Sequence, residues 1–410
     1  MTLTSFTCRS CGHADLHPVL SLGRMPLANS LLAPEDLARP EPIYLLDLVF
    51  CPLCTLVQIT ETLAPEALFQ EYLYFSSFSD TMLRHAQTLV SRAIASRGLN
   101  QQSLVVEVGS NDGYLLQYFA ASGIPVLGIE PAANVAAVAV SRGIPTMAEF
   151  FGRDLAGGLQ AQGLAADVLI ANNVLAHVAD LNGFVSGVAR LLRDGGIAYI
   201  EVPYVKDMID RCEFDTIYHE HLCYFSLTAL QRLFHRYHLM IADVERLPVH
   251  GGSLRLHVVH ADRVPAGDAI ERMLDQEAAW GVDRLEAYGS FGRRAQQIKT
   301  ALVDLLVSLR QADKRLAGYG AAAKATVLLN YCGIGPALLE FVADLSPHKQ
   351  GRFIPGVRLP VVPPERLMQD RPDYTLLLAW NLADEVLRQQ ADYRRAGGLF
   401  IVPIPDVTIV

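Results

Sequence analysis

The junction at which Leu104-Val105-Val106-Glu107-Val108 runs into Gly109-Ser110-Asn111-Asp112-Gly113 constrains the fold more than any other segment. A nearly continuous aliphatic run reads as a buried strand. The paired glycines read as a turn whose backbone adopts angles closed to other residues, and helical spacing to about Ser122 completes a strand–turn–helix unit. The same rhythm continues with a strand from Pro125 to Ile129 that ends at Glu130, a helical stretch from Ala132 to Ser141 and a strand from Asp167 to Ala171. A helix to about Arg193 and a strand from Ile197 to Val202 follow. Such alternation predicts an α/β unit with a mostly parallel sheet covered on both faces. Two later strands, roughly Met240 to Arg246 and Leu254 to Val259, flank His250-Gly251-Gly252-Ser253 and read as a closing antiparallel pair.

The chain has 410 residues, 51% of them hydrophobic, which is apolar material for more than one core, since single cores stop growing near ~250–300 residues. Residues 1–70 are rich in Cys, Leu and Pro, with short apolar runs such as Tyr44 to Phe50. About 265–312 has helical spacing without strand signal. Arg315 to Gly320 then starts a second strand–glycine turn–helix unit, with strands at Leu339 to Val342, Tyr374 to Ala379 and Leu399 to Pro403 and an acid at Asp344. The expected boundaries are 1–70, 71–260 and 261–410. A net charge of -9 argues against a nucleic-acid partner, because polyanion binding needs a basic face. No apolar run approaches the ~18 residues of a membrane span. The first residues lack a basic region followed by an apolar stretch, so a soluble, cytoplasmic protein is expected.

Cys8-Arg9-Ser10-Cys11 and Cys51-Pro52-Leu53-Cys54 each place two sulfurs at knuckle spacing. Four thiolates make a closed tetrahedral Zn²⁺ site in a structural role, stapling a segment too small to hold a core alone. Cys212, Cys223 and Cys332 are isolated and read as small core residues.

At the first glycine turn, Glu130 follows roughly twenty residues on, where a carboxylate would accept hydrogen bonds from a ribose diol. Nicotinamide cofactors and S-adenosylmethionine both fit this layout. The latter is favoured by the two glycines where a dinucleotide turn prefers three, by the acidic Glu107 just before them, and by the closing antiparallel pair. Further on, Tyr218-His219-Glu220-His221-Leu222-Cys223-Tyr224-Phe225 is the densest acid–base cluster in the chain. Histidine can take a proton near neutral pH, and a neighbouring carboxylate can orient it. A polar loop around a buried, satisfied histidine is the alternative. His177, after the strand ending near Ala171, is expected at the carboxyl edge where ligands bind.

Taken together, the paired Cys-x-x-Cys, Tyr72 to Ser77, Glu107 to Gly113, Asn173 to His177, Tyr218 to Phe225, Gly251 to Arg255 and Gly318-Tyr319-Gly320-Ala321-Ala322-Ala323-Lys324 resemble the nucleotide-sugar C-methyltransferases of deoxysugar pathways. The resemblance covers essentially the whole chain. It implies a class I Rossmann-like methyltransferase with a small N-terminal zinc-binding domain and a second, C-terminal doubly wound α/β domain. It makes His221 the general base, with Tyr72, His177, Tyr218 and Glu220 around the sugar. S-adenosylmethionine would be held by Glu107, Gly109, Ser110, Asn111, Gly113, Glu130, Asn172 and Asn173. The nucleotide sugar would meet Tyr74, Ser253 and Arg255, with its pyrophosphate at Gly318, Gly320 and Lys324.

Overall fold

The computed structural model describes residues 6–65, 68, 75–261 and 267–410, without the side chain of His250. Tyr72 and Tyr74 lie outside the described residues. Three sheets carry the architecture. The first is antiparallel and runs β1 (His17–Met25), β2 (Tyr44–Phe50), β3 (Val57–Ile59) and β9 (Cys223–Tyr224). Its fourth strand comes from the middle of the chain, where Cys223 and Tyr224 pair with Gln58 and Val57. Leu46, Leu48, Phe50, Val57 and Ile59 fill its buried face.

The central sheet combines β4 (Val105–Val108), β5 (Val126–Ile129), β6 (Thr146–Met147), β7 (Ala166–Asn172), β8 (Leu192–Pro203), β10 (Leu239–Leu247) and β11 (Ser253–His260). Its order is β10-β11-β8-β7-β4-β5-β6, with β11 antiparallel between β8 and β10. Successive side chains on a strand face opposite sides, and both sides are apolar here. Val106, Val108, Leu169, Ala171, Ile200 and Val202 meet the Leu181–Leu191 helix. Val105, Val168, Ile170 and Tyr199 meet the Asp80–Arg97 helix. The strand order reverses between β4 and β7, which opens a crevice at their carboxyl ends.

Two helices, Asp268–Trp280 and Phe291–Gln311, lead to the third sheet. It holds β12 (Leu316–Tyr319), β13 (Val342–Ala343), β14 (Val361–Val362), β15 (Tyr374–Leu377), β16 (Leu399–Val402) and β17 (Thr408–Ile409). The order is β14-β13-β12-β15-β16-β17, parallel except for β17. The two parallel sheets repeat one device. Asn111 N–H donates to Glu130 at 3.0 Å in the central sheet, and Ala321 N–H donates to Asp344 at 2.7 Å in the third.

Arg255 on β11 is buried, and its guanidinium donates to Glu201 on β8 at 2.7 Å, while His85 of the Asp80–Arg97 helix reaches the same carboxylate at 2.9 Å. Burial alone would raise the Glu201 carboxyl, but His85 and Arg255 hold it below its ordinary value. Removing one partner of a buried ion pair strands the other in a poor solvent. Glu201→Ala is therefore expected to lower unfolding stability by about 3 kcal/mol, read from urea denaturation. A loss under 1 kcal/mol would contradict this account.

Candidate active site

A cavity of about 570 Å³ opens where the three sheets meet. Asn29 and Leu31 come from the N-terminal unit. Gly109, Asn111, Glu130, Asn172, Asn173 and His177 come from the carboxyl edge of the central sheet. Tyr218 and His221 stand beyond them, and Lys324, Lys349 and Asn381 close the C-terminal wall.

The glycine turn forms one half. Gly109 has φ +65°, and a Cβ there would stand 2.5 Å from Val174 Cγ2, so glycine is required twice over. Asn111 also takes a positive φ, 50°, and its side-chain oxygen accepts from Ser76 N–H at 2.9 Å. Glu130 accepts from Asn111 N–H and, at 2.9 Å, from Ala132 N–H, which fixes the carboxylate at the end of β5. Glu107 lies behind the lining, fully buried, and neither of its oxygens meets a hydrogen-bond donor among the described residues. Burial first, then the neighbouring Glu130, Asp112 and Glu201 carboxylates, push its carboxyl well above the ordinary range. The Asn172 amide and the Ser110 hydroxyl are likewise buried without partners among the described residues. Such groups are costly unless a ligand completes them. A cationic, hydrogen-bonding molecule such as S-adenosylmethionine fits this donor set.

The other half carries acid–base chemistry. His221 Nδ1 lies 2.9 Å from the Thr216 carbonyl and Nε2 lies 2.7 Å from the Tyr218 hydroxyl. A carbonyl only accepts, so Nδ1 carries the proton and Nε2 the basic lone pair. The His177 ring stands edge-on to His221, with centroids 4.8 Å apart. Burial pushes His177 down to about 4 despite its hydrogen bond to the Glu220 carbonyl. It is a neutral ring at pH 7 whose one N–H is spent on that carbonyl. Glu220 faces Asn29, whose amide donates at 2.7 Å, and burial pushes its carboxyl up to about 7. His219 is the buried histidine of this loop, with Nε2 3.2 Å from the Leu45 carbonyl and Nδ1 without a hydrogen-bond partner among the described residues.

Several expected residues stand elsewhere. Arg255 is consumed by Glu201, and Ser253 Oγ donates to the Val249 carbonyl at 3.1 Å, so neither lines the cavity. Ser110, Gly113, Gly318, Gly320 and Glu220 do not line it either. Lys324 does line it, but its charge already faces Asp215 and Glu213, and its Nζ lies 4.6 Å from the Trp380 ring centre. An incoming pyrophosphate would meet two carboxyl groups there. Lys349, with no sequence signal of its own, is a further cation beside the second glycine turn, 2.9 Å from the Ala321 carbonyl and 3.7 Å from the Asp344 carboxylate. Asn29 was also hidden, because only folding brings it to Glu220.

The ligand atoms of Cys8, Cys11, Cys51 and Cys54 all lie within 4.8 Å of one another, with Cys8–Cys54 at 3.4 Å and Cys11–Cys51 at 3.6 Å. Tetrahedral zinc with ~2.3 Å bonds separates its sulfurs by about 3.8 Å, so the cage fits. Gly12 N–H donates to the Cys8 carbonyl and Thr55 N–H to the Cys51 carbonyl, closing both knuckles.

Two tests follow from these groups. Cys54→Ser is expected to lose bound zinc and unfold at a lower temperature. One tightly held zinc per chain by mass spectrometry, with an unchanged midpoint, would exclude the four-thiolate assignment. For Glu220, the folded carboxyl binds its proton more tightly than an unfolded one, whose value is near 4.5. Its contribution to stability is complete below that value and is lost as pH rises toward about 7. Glu220→Gln, which keeps the acceptor for Asn29, should become more stable relative to the parent between pH 5 and pH 7. A stability difference that stays constant across that range would refute the assignment.

Residues 8–69 match a zinc binding domain family, residues 82–243 a methyltransferase domain family, and residues 248–405 the family described as C-methyltransferase C-terminal domain. The chain is 36% identical over 407 residues to C-methyltransferase NovU of Streptomyces niveus, covering 98% of this chain and 96% of that protein. A magnesium protoporphyrin IX methyltransferase from Synechocystis PCC 6803 shares 16% identity over 49% of this chain and 99% of its own, with a TM-score of 0.36. A methyltransferase complex from Haloferax volcanii shares 13% over 47% of this chain and 100% of its own, with a TM-score of 0.34. Those two scores are too low to add weight. The full-length relative decides between the two cofactors that the first glycine turn admits. This chain belongs to the C-methyltransferase family, as an S-adenosylmethionine-dependent enzyme with a zinc-binding N-terminal unit.

Proposed function

We propose that this enzyme methylates C3 of a 4-keto-6-deoxysugar linked to thymidine diphosphate. The observation that carries the reading is the His221 imidazole, whose basic nitrogen lies at a cavity wall beside Tyr218. An imidazole can deprotonate carbon only next to a carbonyl, where the charge moves onto oxygen as an enolate. In this reading His221 Nε2 takes the C3 proton. Nε2 then donates to the Tyr218 oxygen, which frees the Tyr218 O–H for the enolate oxygen in a site sheltered from water. That role falls to Tyr218 rather than His177, whose N–H is already spent.

S-adenosylmethionine, when bound, supplies the electrophilic sulfonium methyl. Asn111, Glu130, Asn172 and Asn173 would hold it, with the buried Glu107 carboxyl behind the turn. Keeping the two reactants in contact is worth much of the acceleration. The sugar nucleotide would lie between residues 71–260 and 261–410. Its pyrophosphate would lie near the turn through Gly318 and Gly320, with Lys349 as the cation.

His221→Asn should lower kcat by ~10²–10⁴ with little change in sugar-nucleotide affinity. Near-normal turnover would move the base to another residue. NMR of the product from a dTDP-4-keto-6-deoxysugar should place the new methyl group at C3. A methyl at C5 would correct the position, and no methylated sugar nucleotide at all would sink the substrate class.

A further inference from the structure

The groups that hold His221 reach into the C-terminal unit. The Thr216 carbonyl that accepts from His221 Nδ1 belongs to a single 3-10 turn, Phe214–Thr216. That turn packs against the Ala323–Cys332 helix of the C-terminal unit, and the Phe214 ring lies 5.1 Å from that of Tyr331. Its middle residue, Asp215, is fully buried. Asp215 accepts from Trp380 Nε1 at 2.7 Å, and Lys324, whose Nζ lies over the Trp380 ring, supplies its counter-charge. Within the turn, Thr216 Oγ1 donates to the Glu213 carbonyl at 2.8 Å.

We infer that Asp215, anchored by Trp380, is a positioning residue that aims the Thr216 carbonyl at His221, so that the C-terminal unit selects the reactive tautomer of a base in the central unit. The inference rests on the reading of His221 as the base. A neutral imidazole exchanges between two tautomers, and only the form protonated on Nδ1 offers a lone pair at Nε2. The Thr216 carbonyl favours that form. It is one residue from a carboxylate pinned across the unit boundary, and it also accepts from the Tyr224 O–H at 3.5 Å. Releasing the pin lets the carbonyl drift and the unreactive tautomer gain population.

Trp380→Phe tests this directly, because it keeps an aromatic ring beneath Lys324 while removing the N–H together with part of the indole. The expected result is a fall in kcat of about tenfold, in line with the loss of one hydrogen bond. KM for the sugar nucleotide and affinity for S-adenosylhomocysteine should stay within about twofold. Asp215→Asn, which retains an acceptor for Trp380, should keep kcat close to that of the parent. In a His221→Asn background, Trp380→Phe should cost nothing further. An unchanged kcat in Trp380→Phe, a tenfold loss in Asp215→Asn, or a tenfold loss that persists without His221 would each overturn the positioning role. A fully active His221→Asn enzyme is a different outcome, which removes the base itself.

Discussion

One hydrogen bond, from His221 Nδ1 to the Thr216 carbonyl, determines what the cavity can do, because it puts the ring's basic lone pair on Nε2. Tyr218 lies on that nitrogen, His177 stands edge-on to the ring, and Glu220 accepts from Asn29 of the N-terminal unit. The N-terminal and central units therefore both contribute to the surroundings of one imidazole, and the C-terminal unit reaches it through the turn that carries Thr216. None of the elements involved would hold the arrangement alone. The turn 214–216 is too short, and the loop through residue 221 lacks a ladder of its own until it reaches β9.

The electrostatics around the cavity suit a cationic cofactor and a neutral reacting centre. Burial raises the carboxyl groups of Glu107, Glu130, Glu213, Asp215 and Glu220, with Glu213 at about 8 and Asp215 at about 6. Acids held this way are costly to ionise by themselves, and a positive group nearby repays that cost. Lys324 does so for Glu213 and Asp215. Among the described residues no cation faces Glu107, so its carboxyl is left for a ligand.

The features legible in the sequence were those written in short, local patterns. The two Cys-x-x-Cys knuckles, the turn at Gly109 and the antiparallel closing strands all stand where spacing put them, since each is dictated by a handful of adjacent residues. What spacing could not reveal was which distant side chain would claim a charge. Arg255 lies next to a suggestive glycine pair, yet Glu201 on the neighbouring strand consumes it. Lys324 follows a glycine turn, yet Asp215 and Glu213 at the short 3-10 turn face it from the central unit. Asn29 and Lys349 carry no motif at all. The two-residue strands β6, β14 and β17 fall below the length at which periodicity can be read.

The loan of β9 to the N-terminal sheet has a practical consequence for protein engineering. The zinc-stapled unit ends in sequence well before the glycine turn, yet it is completed by a strand that begins two residues after His221. A chimera cut at the apparent boundary would join a foreign sheet edge to the resident strand and disturb the register of the loop carrying the base. Exchange of that unit between relatives has to carry the stretch 217–225 along with it, so the smallest transferable cassette is discontinuous.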